Sequence, residues 1–213
     1  MSKKAKEVLS LYDVKCLGVL VSGSGANLQS IIDSTNDGIL KGFAKVVLVV
    51  SNNPNAYALE RAKKGNIKSV CVERRNFEDE ESFNDVIFSE LQNMKVDVVC
   101  LAGYLRLIGQ KIVENYRNKI LNIHPALLPK FGGKGMYGYH IHEAVVKSRD
   151  MISGATVHLV DENYDTGKIV IQKKIRIFSN YTPQDVAEKV SNIEHKIYPE
   201  AIKILVDGLS KNL

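Results

Sequence analysis

Asn122 and His124 stand two residues apart at the end of an apolar run, just before Pro125 and Pro129. An amide polarises a carbonyl and an imidazole moves protons, and together they are the minimum equipment for acyl transfer. Lys119-Ile120-Leu121 reads as a short buried strand that Pro125 must end, because proline has no N–H for a ladder and restrains the residue before it. Side chains two apart on an extended segment share a face, so both groups can reach one substrate atom. The same residues also fit an Asx turn that closes a strand beside a satisfied core histidine, and spacing alone leaves both readings standing.

Three further segments carry chemistry-bearing residues. Ser22-Gly23-Ser24-Gly25-Ala26-Asn27 follows an apolar run and opens a helical pattern, where backbone N–H groups and the helix dipole hold phosphate. It is no Walker loop, because no Gly-Lys-Ser/Thr follows, and no dinucleotide fingerprint, because Leu28 stands where the third glycine belongs. A plain tight turn is the alternative. Asp161 to Gly167 forms a polar turn between two apolar runs, and the fold can bring Asp165 beside His124, or leave it a turn aspartate. Asp165-Thr166-Gly167 also matches an aspartic-protease triplet, but it occurs once, Lys168 follows it and the surrounding pattern is α/β. His140, His142, His124, His158 and Asp165 raise the question of a metal. No other metal-ligand spacing accompanies them, so supporting or capping histidines are expected and no metal.

The elements that must position these groups follow from the hydrophobic pattern. Continuous apolar runs at residues 17–21, 46–50, 69–72 and 96–101 predict strands covered on both faces. Helical periodicity fills residues 28–39, 56–64 and 83–94 between them. This βαβα alternation predicts a single α/β domain, doubly wound around a mostly parallel sheet. Residues 155–160 and 168–172 lie close across the Asp161–Gly167 turn, hairpin-like, so the sheet is expected to become mixed toward its C-terminal part. A last helix starts near Thr182-Pro183, with Asp185 in its first turn. Val186, Val190, Ile193, Ile197, Ala201 and Ile204 form its apolar stripe, and Pro199 is expected to kink it. The domain spans residues 14–213, preceded by a loosely attached lead-in over residues 1–13.

Composition limits the setting. The 213 residues suffice for one domain with a sizeable core. No apolar run approaches the roughly 20 residues of a membrane span, and Val8 to Tyr12 is too brief for a signal-peptide core, so a cytoplasmic protein without a membrane partner is expected. Cys16, Cys71 and Cys100 are odd in number, far apart and set in apolar runs, which predicts buried thiols. The net charge of +5 favours anionic partners. The basic residues are dispersed among apolar and acidic neighbours, as on a solvated face, and no nucleic-acid partner is expected.

In order along the chain, Val21 to Gln29, Val50-Ser51-Asn52, Leu101 to Arg106, Leu121 to Pro129, Thr156-Val157-His158 running on to Asp165-Thr166-Gly167, and Glu194 to Pro199 form one set. On this set the chain resembles the phosphoribosylglycinamide formyltransferases, the folate-dependent transformylases of purine synthesis, from Cys16 to Leu205. The resemblance implies a formyltransferase domain over residues 14–213, with 10-formyltetrahydrofolate as co-substrate and phosphoribosylglycinamide as acceptor. It implies that Asn122, His124 and Asp165 are catalytic, that Gly25, Ala26 and Asn27 hold the substrate phosphate, and that Glu194 binds the same substrate. Leu105, Arg106, Leu107 and Ile108, with Asn122, match the folate-binding segment. The expected assembly is a monomer or homodimer without metal. The chain departs from the family pattern in the longer, glycine-rich Gly132–Gly138 loop, in Glu80 near a position where some members carry an arginine, and in Ser191 where a longer polar residue occurs. Formyltetrahydrofolate hydrolases share the catalytic trio but add an N-terminal domain, and methionyl-tRNA formyltransferases add a C-terminal barrel. Neither addition is expected within this chain. A non-catalytic nucleotide- or RNA-binding module is the reading of a different class.

Overall fold

Each of the first four strands ends in a segment that leads to a helix, and a helix long enough to return the chain lets the next strand pair in parallel. A computed structural model describes residues 14–210, so the expected lead-in at residues 1–13 lies outside the described residues. Strands β1 (Lys15–Val21), β2 (Ala44–Ser51), β3 (Lys68–Cys71), β4 (Val98–Leu101) and β5 (Ile120–His124) alternate with helices α1 (Ala26–Asp37), α2 (Tyr57–Lys64), α3 (Glu80–Asn93) and α4 (Gln110–Asn115). Helix α5 (Tyr139–Lys147), strands β6 (Ile152–Leu159) and β7 (Ile169–Arg176), and helix α6 (Pro183–Ser210) complete the described chain. The sheet order is β3-β2-β1-β4-β5-β6-β7. Pairing is parallel from β3 to β5 and antiparallel from β5 to β7. The doubly wound sheet with a mixed C-terminal part is therefore observed.

Strand order reverses between β1 and β4, so the loops leaving their carboxyl ends diverge and open a crevice where open α/β sheets bind ligands. Two apolar layers cover the sheet. Leu28 and Ile31 of α1, Ile141 and Val145 of α5, and Val186, Val190 and Ile197 of α6 pack on one face with Leu17 and Val19. Phe83, Ile87 and Leu91 of α3 and Ile112 of α4 pack on the other with Leu20. The β1 side chains divide between the layers because successive residues point to opposite faces. At Gly18, an added Cβ would lie 2.7 Å from Leu91 Cδ2, so α3 approaches β1 this closely only over a glycine.

Some expectations need correction. β3 is an edge strand, and Cys71 on it is exposed rather than buried, because edge position removes one neighbour and its cover. Cys16 is partly buried and only Cys100 is fully enclosed. In α6 the buried stripe holds through Ala201, but Ile204 is 54 % exposed while Tyr198, Ile202 and Val206 are buried. Beyond Ala201 the buried positions are thus Ile202 and Val206 rather than Ile204, and residues 183–210 form one helix with Pro199 inside it. At its start Thr182 Oγ1 accepts from Asp185 N–H at 3.2 Å while Asp185 Oδ2 accepts from Thr182 N–H at 2.8 Å, a reciprocal cap. The short helices α4 and α5 give little periodic signal and were not among the expected elements.

Tyr198 ties α6 to the end of the sheet that matters for the site. Its buried hydroxyl lies 2.9 Å from the carbonyl of Leu101 on β4 and 3.0 Å from that of Leu121 on β5. Glu194 sits four residues earlier on the same helix face, so this anchor also fixes where that carboxyl enters the crevice. Tyr198→Phe is expected to lower stability by roughly 1–3 kcal/mol, because the carbonyls lose a donor that water cannot replace. Urea denaturation of the two proteins measures this; an unchanged midpoint would mean the hydroxyl bears no load.

Candidate active site

Asn122 and His124 leave β5 on one face, as their spacing requires, and β6 runs antiparallel beside them. The register sets Asn122 opposite His158 and His124 opposite Thr156. Directly opposed residues share a face, so His158 joins the pair without any local sequence signal beyond its alternate position from Thr156. His158 Nδ1 lies 2.8 Å from the Leu159 carbonyl, which makes Nδ1 the protonated nitrogen and leaves Nε2 to accept from Asn122 Nδ2 at 3.1 Å.

Asp165 completes the group from the turn between β6 and β7. Its φ of 57° is a left-handed conformation that aspartate tolerates better than most residues. One carboxylate oxygen lies 3.4 Å from Asn122 Nδ2 and 3.4 Å from His158 Nε2. The other lies 3.6 Å from His124 Nδ1 and accepts from the Gly133 N–H at 3.0 Å. His124 Nε2 donates to the Phe131 carbonyl at 2.8 Å, which leaves Nδ1 as the unprotonated side of the neutral ring. Burial holds the His124 imidazole below its ordinary value, although the Asp165 charge and the Phe131 carbonyl pull the other way. Burial also works to raise Asp165, but the contacts with His158, His124 and the Gly133 N–H outweigh it and keep the carboxyl below the usual range. The arrangement is a neutral base beside an ionised carboxylate, with an amide donor between two acceptors.

These residues line a cavity of about 380 Å³ at the crevice. The β4–α4 loop supplies Leu105, Arg106, Leu107 and Ile108 to its wall, with Leu105 and Leu107 exposed and Ile108 buried. Of the three residues matched to phosphate binding, only Asn27 borders the cavity. Gly25 and Ala26 stand behind it at the start of α1, where Gly25 has φ 72° and would bring a Cβ within 2.7 Å of Ala58. Glu194 faces Asn27, whose Nδ2 donates to it at 3.4 Å. Burial pushes the Glu194 carboxyl up to about 7, against the lowering effect of that hydrogen bond. Asn27 Oδ1 is buried without a partner.

The departures from the family pattern also find places. Glu80 accepts from Arg106 at 2.5 Å and from Arg74 at 2.8 Å through the same oxygen, so it offsets the charge of a cavity-wall arginine. Ser191 borders the cavity and lies 3.3 Å from His195 Nε2. Met136 and Tyr137 of the glycine-rich loop also line it. Sequence reasoning expected His158 only as a supporting or capping histidine and assigned no role to the Phe131 carbonyl or the Gly133 N–H. The strand alternation at Thr156 and His158 signals the first, whereas backbone groups carry no residue-type signal. Among the described residues, no group of three or more His, Cys, Asp or Glu is arranged to hold a metal ion.

The sequence profile described as formyl transferase matches residues 15–202. The phosphoribosylglycinamide formyltransferase of Haemophilus influenzae is 38 % identical over 92 % of this chain and 89 % of its own length. The chloroplastic phosphoribosylglycinamide formyltransferase of Arabidopsis thaliana is 41 % identical over 88 % of this chain and 64 % of its own. The trifunctional purine biosynthetic protein adenosine-3 of Chironomus tentans is 38 % identical, and the chain spans only 14 % of its length. Among solved structures, glycinamide ribonucleotide transformylase 1 from Symbiobacterium toebii superposes with a TM-score of 0.86 at 34 % identity, covering 92 % of this chain and 89 % of that one.

Glu194 generates a pH prediction. Its folded-state value near 7 exceeds the ordinary 4.5, so its contribution to stability is fully present below about pH 4.5 and is lost as pH rises through 7. Glu194→Gln, which cannot ionise, is expected to gain in melting temperature relative to the parent between pH 5 and pH 8. Thermal melts of both proteins across that range check it; parallel curves would place the carboxyl in water.

Proposed function

This chain belongs to the formyl transferase family, and from that membership and the geometry of its crevice we propose that it transfers the formyl group of 10-formyltetrahydrofolate to the amine of 5'-phosphoribosylglycinamide in de novo purine biosynthesis. The observation that carries the reading is the convergence of Asn122, His124 and Asp165 on one cavity that has two unlike walls. Leu105, Leu107 and Ile108 give one wall an apolar surface suited to a flat ring system. Asn27 and Glu194 give the other a polar surface suited to a ribosyl phosphate, beside the N-terminus of α1.

In this reading the amine nitrogen bonds to the formyl carbon, the bond from that carbon to the folate nitrogen breaks, and the proton leaving the amine ends on the folate nitrogen. Asn122 Nδ2 donates to the oxyanion that develops on the formyl oxygen. Its contact with Asp165, long at 3.4 Å, is the one a substrate oxygen displaces most readily. His124 donates from Nε2 to the same oxygen, which then takes the place of the Phe131 carbonyl. Asp165, held ionised, stabilises the imidazolium form of His124 and passes the amine proton onward through water. His158 keeps the Asn122 amide turned toward the reacting carbon by accepting its other hydrogen. Amide, imidazole and carboxylate together supply donor, acceptor and charge, so the reaction is assigned no metal. Gly25, Ala26 and Asn27 bind the phosphate, Glu194 the glycinamide ribonucleotide, and Leu105, Arg106, Leu107, Ile108 and Asn122 the folate. The reading places the enzyme in the cytoplasm as a monomer or homodimer with small-molecule partners; no described helix is long and apolar enough to cross a membrane.

Asn122→Ala is expected to lower kcat/KM by ~10²- to 10³-fold, the usual loss for an oxyanion donor. His124→Ala and Asp165→Ala are each expected to lower it by ~10²- to 10⁴-fold. Steady-state kinetics on folded variants decide this, and three wild-type values would discard the assignment. The overall reaction is tested by the absorbance change on deformylation of a 10-formylfolate. Turnover that requires phosphoribosylglycinamide supports the transferase, equal turnover without it identifies a hydrolase, and none with either points to a binding module.

A further inference from the structure

Three loops leave the carboxyl ends of β1, β2 and β4 side by side at the crevice, and one buried hydroxyl joins all three. Ser22, 7 % exposed, directly follows β1. Its Oγ–H donates to Asn52 Oδ1, just past β2, at 2.6 Å, while the same oxygen accepts from the Leu105 N–H, past β4, at 2.9 Å. The Ser22 N–H donates to the Gly103 carbonyl at 3.1 Å, and its carbonyl accepts from Asn53 Nδ2 at 3.1 Å. The residue that begins the Gly25–Asn27 loop is thus tied twice to the loop that carries Leu105 to Ile108 and twice to the Asn52-Asn53 corner. Further along, helix α2 grips the same loop: the Ala58 N–H donates to the Gly23 carbonyl at 3.2 Å and Arg61 Nε to that of Ser24 at 2.8 Å.

Ser22 itself does not border the cavity, and among the described residues no imidazole or carboxylate is hydrogen-bonded to its hydroxyl, so it is placed to hold other groups rather than to react. A hydroxyl that is both donor and acceptor in one buried chain makes each hydrogen bond depend on the other. Any displacement of the Leu105 segment shifts Ser22, and with it the start of the loop that leads to Asn27.

We propose that Ser22 and Asn52 are positioning residues that join the phosphate-side loop and the folate-side loop into one unit, so that filling either loop prepares the other. This rests on the reading that the two loops hold the two substrates. The coupling is a mutual tightening of two ligands at separate walls, and it must be reciprocal.

The test is calorimetric titration of phosphoribosylglycinamide into the full chain, with and without saturating tetrahydrofolate, which lacks the formyl group and cannot react. Wild-type protein is expected to bind at least ~5-fold more tightly when tetrahydrofolate is present, the low end of ordinary coupling. Ser22→Ala and Asn52→Ala are each expected to bring that ratio to within about 2-fold of unity, and Ser22→Thr, which keeps the hydroxyl, to restore it. A residue with a merely structural role would lower the melting temperature and leave the ratio intact. If Ser22→Ala does not fold, Asn52→Ala decides. A wild-type ratio of one, or a ratio that survives in the folded variants, overturns the proposal. Failure of either ligand to bind wild-type protein alone overturns instead the functional reading on which it stands.

Discussion

A carboxylate set between two imidazoles and largely withdrawn from water stays charged only where donors compensate for the lost hydration. Asp165 meets that condition by accepting from the Gly133 N–H and from the Asn122 amide. The consequences spread outward. The Phe131 carbonyl, which accepts from His124 Nε2, turns the unprotonated Nδ1 toward this carboxylate, and the Gly133 contact pins the start of the glycine-rich loop. The left-handed backbone at Asp165 is the local strain that places the carboxylate there, and the flanking antiparallel strands hold it.

The antiparallel turn of the sheet is what makes this possible. A parallel strand after β5 would need a crossover connection to return to the far edge before it could pair, whereas an antiparallel one enters directly beside the carboxyl end of β5. By reversing, β6 carries His158 level with Asn122 and ends beside the amino end of β5, where the Val160 N–H donates to the Ile120 carbonyl, and the β6–β7 turn folds back from there to bring Asp165 to Asn122 and His124. Three side chains that are 36 and 43 positions apart in sequence at their widest pairings meet through that one change of direction.

Much of this was legible in the residues. Uninterrupted apolar runs gave away the buried strands, and Asn122 with His124 stood out because proline closes the strand right after them. What the runs could not convey was which strand lies at an edge, since Val70-Cys71-Val72 looks like any interior strand; hence the exposed Cys71. The end of the α6 stripe was hidden for a related reason: a repeat extrapolated along so long a helix carries no information on where its packing partner ends, and Ile204 fell on the exposed side while Val206 is buried. In the site, the carbonyl of Phe131 and the N–H of Gly133 were invisible because every residue has such groups and only the fold selects among them. Glu80 was noticed as a departure, but its pairing with Arg106 needed the packing of α3 against the β4–α4 loop.

The wall of the crevice that presents Leu105 at 56 % exposure, Leu107 at 46 % and Tyr137 at 50 % leaves oil facing water in the free protein. Covering such carbon with a flat aromatic ligand withdraws it from hydration, and hydrated apolar surface has a high heat capacity. Association at that wall therefore carries a negative heat-capacity change, and its enthalpy grows more favourable with each degree of warming. Attachment at the polar wall, built from an amide and a carboxyl, lacks that thermal signature, so the two halves of one cavity respond to temperature in different ways.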